Sequence, residues 1–123
     1  VKSFWVGGQY NYAIVTKDVP YGDSIVKPLT DKKVLEKCLE LGSKVNKAIP
    51  KLEFNGRKTE PVMTRVDMVC CLDNKALSSY DYYLNEIEEG GLAGSYTDFK
   101  QITFPFVEVL SDAYVRKARE LLE

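Results

Sequence analysis

The residues best suited to chemistry in this chain are an arginine and three carboxylates, carried on two short runs of alternating character. In Thr64-Arg65-Val66-Asp67-Met68-Val69, strand geometry would put Arg65 and Asp67 on one face and Val66 and Met68 on the other. The same period in Tyr83-Leu84-Asn85-Glu86-Ile87-Glu88 groups Glu86 with Glu88, opposite Leu84 or Ile87. If the two strands pair with these faces in register, Asp67, Glu86 and Glu88 crowd together, and like charges so close cannot all stay ionised without a cation. Carboxylate oxygens of this kind suit Mg²⁺ bridging nucleotide phosphates, and a guanidinium beside them is a planar fork for a phosphoryl group. Spacing alone leaves a second reading open, a solvated sheet face with an Arg–carboxylate ladder.

Composition limits what else the chain can be. Its 123 residues, 45% apolar, 28% charged and 11% aromatic, suit a single domain that buries a core without disulfides or a structural metal. Seventeen Lys and Arg against eighteen Asp and Glu leave a formal charge of −1, so no broad nucleic-acid surface is expected. No apolar stretch reaches the roughly 18 residues of a membrane span and no signal peptide is evident, so no membrane partner and a cytoplasmic location are expected. The absence of histidine excludes His-containing zinc sites and the Ser-His-Asp and Cys-His nucleophile systems, which leaves carboxylates, Lys, Arg or Tyr for any catalysis. The adjacent Cys70 and Cys71 read as small apolar strand residues. A start at Val1 rather than Met suggests a longer protein that has been cut or is only partly represented by this sequence.

The elements that must position these groups follow from periodicity. Phe4-Trp5-Val6 and Tyr10 to Thr16, separated by Gly7-Gly8-Gln9, predict a hairpin. Lys17 to Thr30, with Pro20, Gly22 and Pro28, predicts a long loop. From Asp31 a helical stripe of Val34, Leu35, Cys38, Leu39, Leu41, Val45, Ala48 and Ile49 runs to Pro50. Lys51 to Glu60 reads as a loop or frayed hairpin. Pro61 to Leu72 and Tyr80 to Ile87 read as paired strands around the Asp73-Asn74-Lys75 turn, and Glu88 to Lys100 as a loop. A closing helix has Pro105 in its first turn, with Phe106, Val107, Leu110, Tyr114, Ala118, Leu121 and Leu122 on one stripe. The fold class expected is α+β, a largely antiparallel sheet backed by two helices in a single domain over residues 1–123.

Arg65-Val66-Asp67, followed about twenty residues later by Leu84-Asn85-Glu86-Ile87-Glu88 and a Gly-rich loop, resembles the C-terminal metal-binding half of the ATP-grasp superfamily. Gly7-Gly8-Gln9-Tyr10-Asn11-Tyr12-Ala13-Ile14-Val15 is similar to the Gly-Gly-x-Phe-Ser-His-Ala-Val hairpin of its glutathione-synthetase-like and ribosomal-modification-type members. Gly22-Asp23-Ser24-Ile25-Val26 sits where those members carry Gly-Asp-Phe-Arg-Val, so the likeness spans Phe4 to Leu122. The chain departs from the pattern at Ile25, at Glu88 where many members have Asn, and at Glu89-Gly90-Gly91 where Pro-Gly often follows.

The resemblance implies ATP and Mg²⁺ as cofactors, with Asp67, Glu86 and Glu88 as metal ligands and Arg65 on the transferring phosphoryl group. Lys17, at the end of the second strand, stands where relatives often place a cation near the phosphates, although a solvated strand-end lysine is the favoured reading of the residue itself. The implied chemistry is ATP-dependent carboxylate–amine or carboxylate–thiol ligation through an acyl phosphate. Its partners would be a nucleotide and a small-molecule or peptide carboxylate. The family's first ATP-binding lobe, with its phosphate-contacting lysines, glycine loop and adenine-binding linker, has no counterpart in this chain, so the chain alone is expected to be inactive. A homo-oligomer is left open. The rival reading is a non-catalytic binding or scaffold domain that keeps the fold, with the carboxylates as a charged surface.

Overall fold

The computed structural model describes residues 1–17, 25–58, 60–69, 81–89 and 100–122. Gly7 and Gly8, at φ of 55° and 76°, turn the chain between strand β1 (Lys2–Val6) and strand β2 (Gln9–Lys17), as the Gly-Gly pair predicts. Asn11 is an extra residue in this ladder, because Phe4 faces Tyr12 while Trp5 faces Tyr10. The stretch expected to be a loop contains a third strand, β3 (Ile25–Pro28), paired with the far end of β2. Among the described residues it lies at the edge of the sheet, where a proline is tolerated because its missing N–H interrupts no inner ladder. Gly22, Asp23 and Ser24 of the loop motif lie outside the described residues.

Helix α1 (Lys32–Ala48) begins where Asp31 Oδ1 accepts hydrogen bonds from the backbone N–H groups of Lys33 (3.0 Å) and Val34 (3.2 Å). It ends in a single 3₁₀ turn, Ile49–Lys51, that contains Pro50. A minimal hairpin of β4 (Glu53–Phe54) and β5 (Arg57–Lys58) follows, in agreement with the frayed hairpin expected there. Strands β6 (Met63–Val69) and β7 (Tyr83–Glu89) complete the main sheet, while Cys70, Cys71 and Tyr80 lie outside the described residues. Helix α2 (Lys100–Leu122) starts one turn earlier than expected, so Pro105 lies inside it. The proline removes one helical hydrogen bond close to the start.

The five-stranded sheet runs β3-β2-β1-β6-β7, each neighbour antiparallel, and the class is α+β. The two helices cover opposite faces. Alternation along the central strand decides this, since Phe4 and Val6 project to one side and Trp5 to the other. Val45 and Ile49 of the α1 region pack on Trp5 and Val66, with Cys38 on Ala13 and Met68. From α2, Phe106 and Ala113 pack on Phe4, Val6, Tyr12, Ile14 and Met63. Phe4 stacks on Tyr12 at 4.4 Å, and Phe106 meets both rings edge-on at 5.9 and 5.1 Å. The stripe expected on α2 is only partly right. Val107, Tyr114, Leu121 and Leu122 are exposed, because Phe106, Leu110 and Ala113 face the sheet while Val107 and Tyr114 lie roughly 80–100° further round the helix, and Leu121 and Leu122 fall in its last turn, beyond the contacting residues.

On the α1 face the Trp5 indole N–H donates to Ser3 Oγ (2.9 Å), which donates in turn to the Val66 carbonyl (3.1 Å). Gly42 lets the indole lie directly against the helix, and a Cβ there would come within 2.6 Å of Trp5 Cε2. In an exposed helix, Gly→Ala would gain about 1 kcal/mol. Here overpacking costs about 1–3 kcal/mol, so Gly42→Ala should be destabilising or at best neutral. Urea unfolding followed by circular dichroism measures the sign; clear stabilisation would show that the indole moves freely.

Candidate functional site

Strand pairing sets the charged residues into two rows across the α2 face of the sheet. One row reads Tyr12, Phe4, Arg65, Glu88 from β2 to β7, and the next reads Ile14, Lys2, Asp67, Glu86. Residues directly opposite in antiparallel strands share a face, so both rows are apolar over β2 and turn ionic toward β7, the first from Arg65 on β6 and the second already from Lys2 on β1. The alternation read from the two runs therefore holds. Asn85 is an extra residue on β7, because Asp67 faces Glu86 while Met68 faces Leu84. The bulge puts both Leu84 and Ile87 opposite the apolar side chains of β6, and Asn85 itself is exposed.

Arg65 is the hub. Its Nε and Nη2 donate to Oδ1 and Oδ2 of Asp67 at 2.8 and 2.9 Å, a bidentate fork between side chains that are 5% and 6% exposed. Nη1 reaches Glu88 Oε2 at 2.7 Å, and Nη2 lies 3.7 Å from Glu86 Oε2. Lys2 Nζ donates to the same Asp67 Oδ2 at 3.0 Å. Three carboxylates against two cations leave these five side chains at −1, so the crowding anticipated from sequence is relieved chiefly from within the chain. Glu88 is 23% exposed and Glu86 50%, which makes the β7 side the open side of the cluster.

Of the residues singled out from sequence, Arg65, Asp67, Glu86 and Glu88 come together. Lys17 does not. It is exposed at the end of β2, two strands from β6, and lies three residues beyond Ile14, which a regular strand puts on the opposite face. Lys2 was missed, because the expected strand began at Phe4. The signal available was the alternation in Lys2-Ser3-Phe4, which places Lys2 on the Phe4 face. The remaining groups offer less. Burial pushes the Cys38 thiol up, so it packs rather than reacts, and it pushes the Tyr10 phenol up to about 12. A cleft of about 390 Å³ beside α1 mixes Lys37 and Lys44 with Asp81 and Glu40, a lining of both signs with no preference for one charge. Lys37 Nζ sits 5.6 Å from the Tyr82 ring centre, while Tyr83 projects into solvent.

The hard oxygens of Asp67, Glu86 and Glu88 are the donor chemistry that a divalent cation takes. As the side chains stand, among the described residues no three Asp, Glu, Cys or His are arranged to hold a metal, and the carboxylates are turned toward Arg65. Comparison with family models, with curated proteins and with solved structures found no match. Among the described residues no helix is long and apolar enough to cross a membrane.

The geometry separates the energetic weight of the ion pairs. Arg65→Met strands the buried Asp67 carboxylate with only Lys2 among the cluster's cations and should cost about 3 kcal/mol or more. Glu86→Gln removes a half-exposed contact at 3.7 Å and should change stability by less than about 1 kcal/mol. Urea denaturation of the two variants tests this, and a neutral Arg65→Met would show that the fork is not what secures Asp67.

Proposed function

We propose that this chain is the Mg²⁺-nucleotide-holding, C-terminal part of an ATP-dependent carboxylate–amine or carboxylate–thiol ligase of the ATP-grasp type, acting through an acyl phosphate. The observation that carries the reading is the convergence of Arg65, Asp67, Glu86 and Glu88 on one sheet face from two directly paired strands. Asp67, Glu86 and Glu88 hold the metal in this reading. Arg65 stabilises the transferring phosphoryl group. Lys17 is left out of the nucleotide contacts, because it ends β2 away from this cluster. A nucleotide-binding lobe beyond these residues supplies the remaining phosphate and adenine contacts, and the acid substrate is a small molecule or a peptide.

A scaffold domain that keeps the fold is the second reading. The internal ion pairing favours it, since Arg65 and Lys2 already answer most of the carboxylate charge. The two readings part at Glu86. In a protein that joins this chain to its nucleotide-binding lobe, Glu86→Gln should cut ATP turnover by about two orders of magnitude or more while the melting temperature stays nearly unchanged. Release of ADP or AMP in the presence of carboxylic acids and amines is the measurement. Equal turnover by wild type and variant would remove Glu86 from the metal site, and an inert wild type across a broad substrate set would favour the scaffold.

A further inference from the structure

Helix α2 carries more apolar surface than the sheet covers. With about 100° between successive residues, Phe106, Leu110 and Ala113 point at the sheet, and the next turn on that line holds Lys117, bonded to Glu60 at 2.7 Å. Beside this line runs a second stripe, Val107, Ser111, Tyr114, Ala118 and Leu121, all exposed. Its spacing of four, three, four and three is that of a seam between packed helices. Val115 and Leu122 widen it, so that from Pro105 to Leu122 about a third of the helix circumference has no charged residue. The charges lie on the far side in a fixed order. Glu108 and Asp112 come first and Arg116 and Arg119 follow, with Glu108 and Arg119 bordering the stripe. None of these four is ion-paired among the described residues, whereas Lys117 pairs with Glu60 and Glu120.

We propose that this stripe is the contact between two copies of the chain, with α2 packed antiparallel on α2 about a twofold axis through the middle of the stripe. Antiparallel packing sets the acidic first half of one charged border along the basic second half of the other, so Glu108 meets Arg119 of the other copy, twice by symmetry. A parallel pair would set like charges together. Small and large residues alternate along the stripe, and Ser111 and Ala118 leave room for the Tyr114 ring of the other copy. The area is sufficient. Val107, Tyr114 and Val115 are about half exposed, Leu121 and Leu122 are 77% and 88% exposed, and the five present on the order of 500 Å² of continuous surface. Two copies then bury on the order of 1,000 Å², the size at which specific, reversible interfaces begin. The contact involves none of the charged residues on β6 and β7 and stands apart from the ligase reading.

The test is sedimentation equilibrium of the 123-residue chain from about 5 to 500 μM at low salt, with circular dichroism to confirm that each variant folds. The wild type should form a reversible dimer with a dissociation constant of about 10–100 μM. Tyr114→Glu puts a charge into the stripe and should weaken the dimer by at least about ten-fold. If that variant does not fold, Leu121→Glu, at the more exposed end, takes its place. Val109→Lys, at a comparably exposed position on the charged side of the helix, should change the dimer by less than about two-fold. Glu108→Arg and Arg119→Glu should each weaken it several-fold, and the two together should restore it to within about three-fold of wild type. A monomer throughout the range, a dimer indifferent to the charge placed in the stripe, or no recovery in the double reversal would overturn the proposal. A ladder of larger oligomers would overturn it too, because a twofold contact closes at two copies.

Discussion

A guanidinium with almost no access to water is the constraint around which the sheet is arranged. Arg65 lies on the β6 strand inside the fold, and a charge withdrawn from solvent persists only if its hydrogen-bonding capacity is met nearby. Asp67 meets part of it from the same strand, and Glu88 and Glu86 meet more from β7. Lys2, from β1, then balances the surplus on Asp67. Three strands must therefore hold one register. Slipping β7 by a single residue would carry both glutamates to the α1 face and bring Ile87 to the guanidinium.

β1 serves both halves of the molecule. Its five residues supply Lys2 and Phe4 to the ionic and aromatic rows on one side and Ser3 and Trp5 to the hydrogen-bonded chain under α1 on the other. The α1 side is further tied by Asn46, whose amide donates to the Gly42 carbonyl while its Oδ1 accepts from Thr64 Oγ1 at 2.6 Å. Polar groups on that face are thus satisfied in pairs, and among the described residues no buried side-chain polar atom lacks a partner.

Much of this was legible in the sequence. Alternation in Thr64 to Val69 and Tyr83 to Glu88 placed the four ionic residues on one face, and the Asp31 cap and Gly7-Gly8 turn fixed two element boundaries, because all of these are local signals. The role of Lys2 was not legible. It depends on β1 pairing with β6, residues sixty-five positions apart, and local patterning carries no information about which strands become neighbours. β3 escaped for a related reason: four residues, the last of them a proline, have little strand character until β2 offers them an edge. The outward-facing part of the α2 stripe escaped because hydrophobic periodicity cannot say how far the surface beneath a helix extends.

The single tryptophan sits on the side of the sheet away from the carboxylates, its ring against Gly42 and its N–H on Ser3. An indole so enclosed emits as a group shielded from water, and its spectrum reports on the seating of α1. Events among Arg65, Asp67 and the glutamates lie beyond a layer of backbone and reach it by distorting β1 or β6, whose Val66 packs on the indole. The chain thus carries an optical control of its own: a ligand that alters the ionic face but leaves the indole emission untouched has been accommodated by side chains alone, and one that shifts it has moved the sheet.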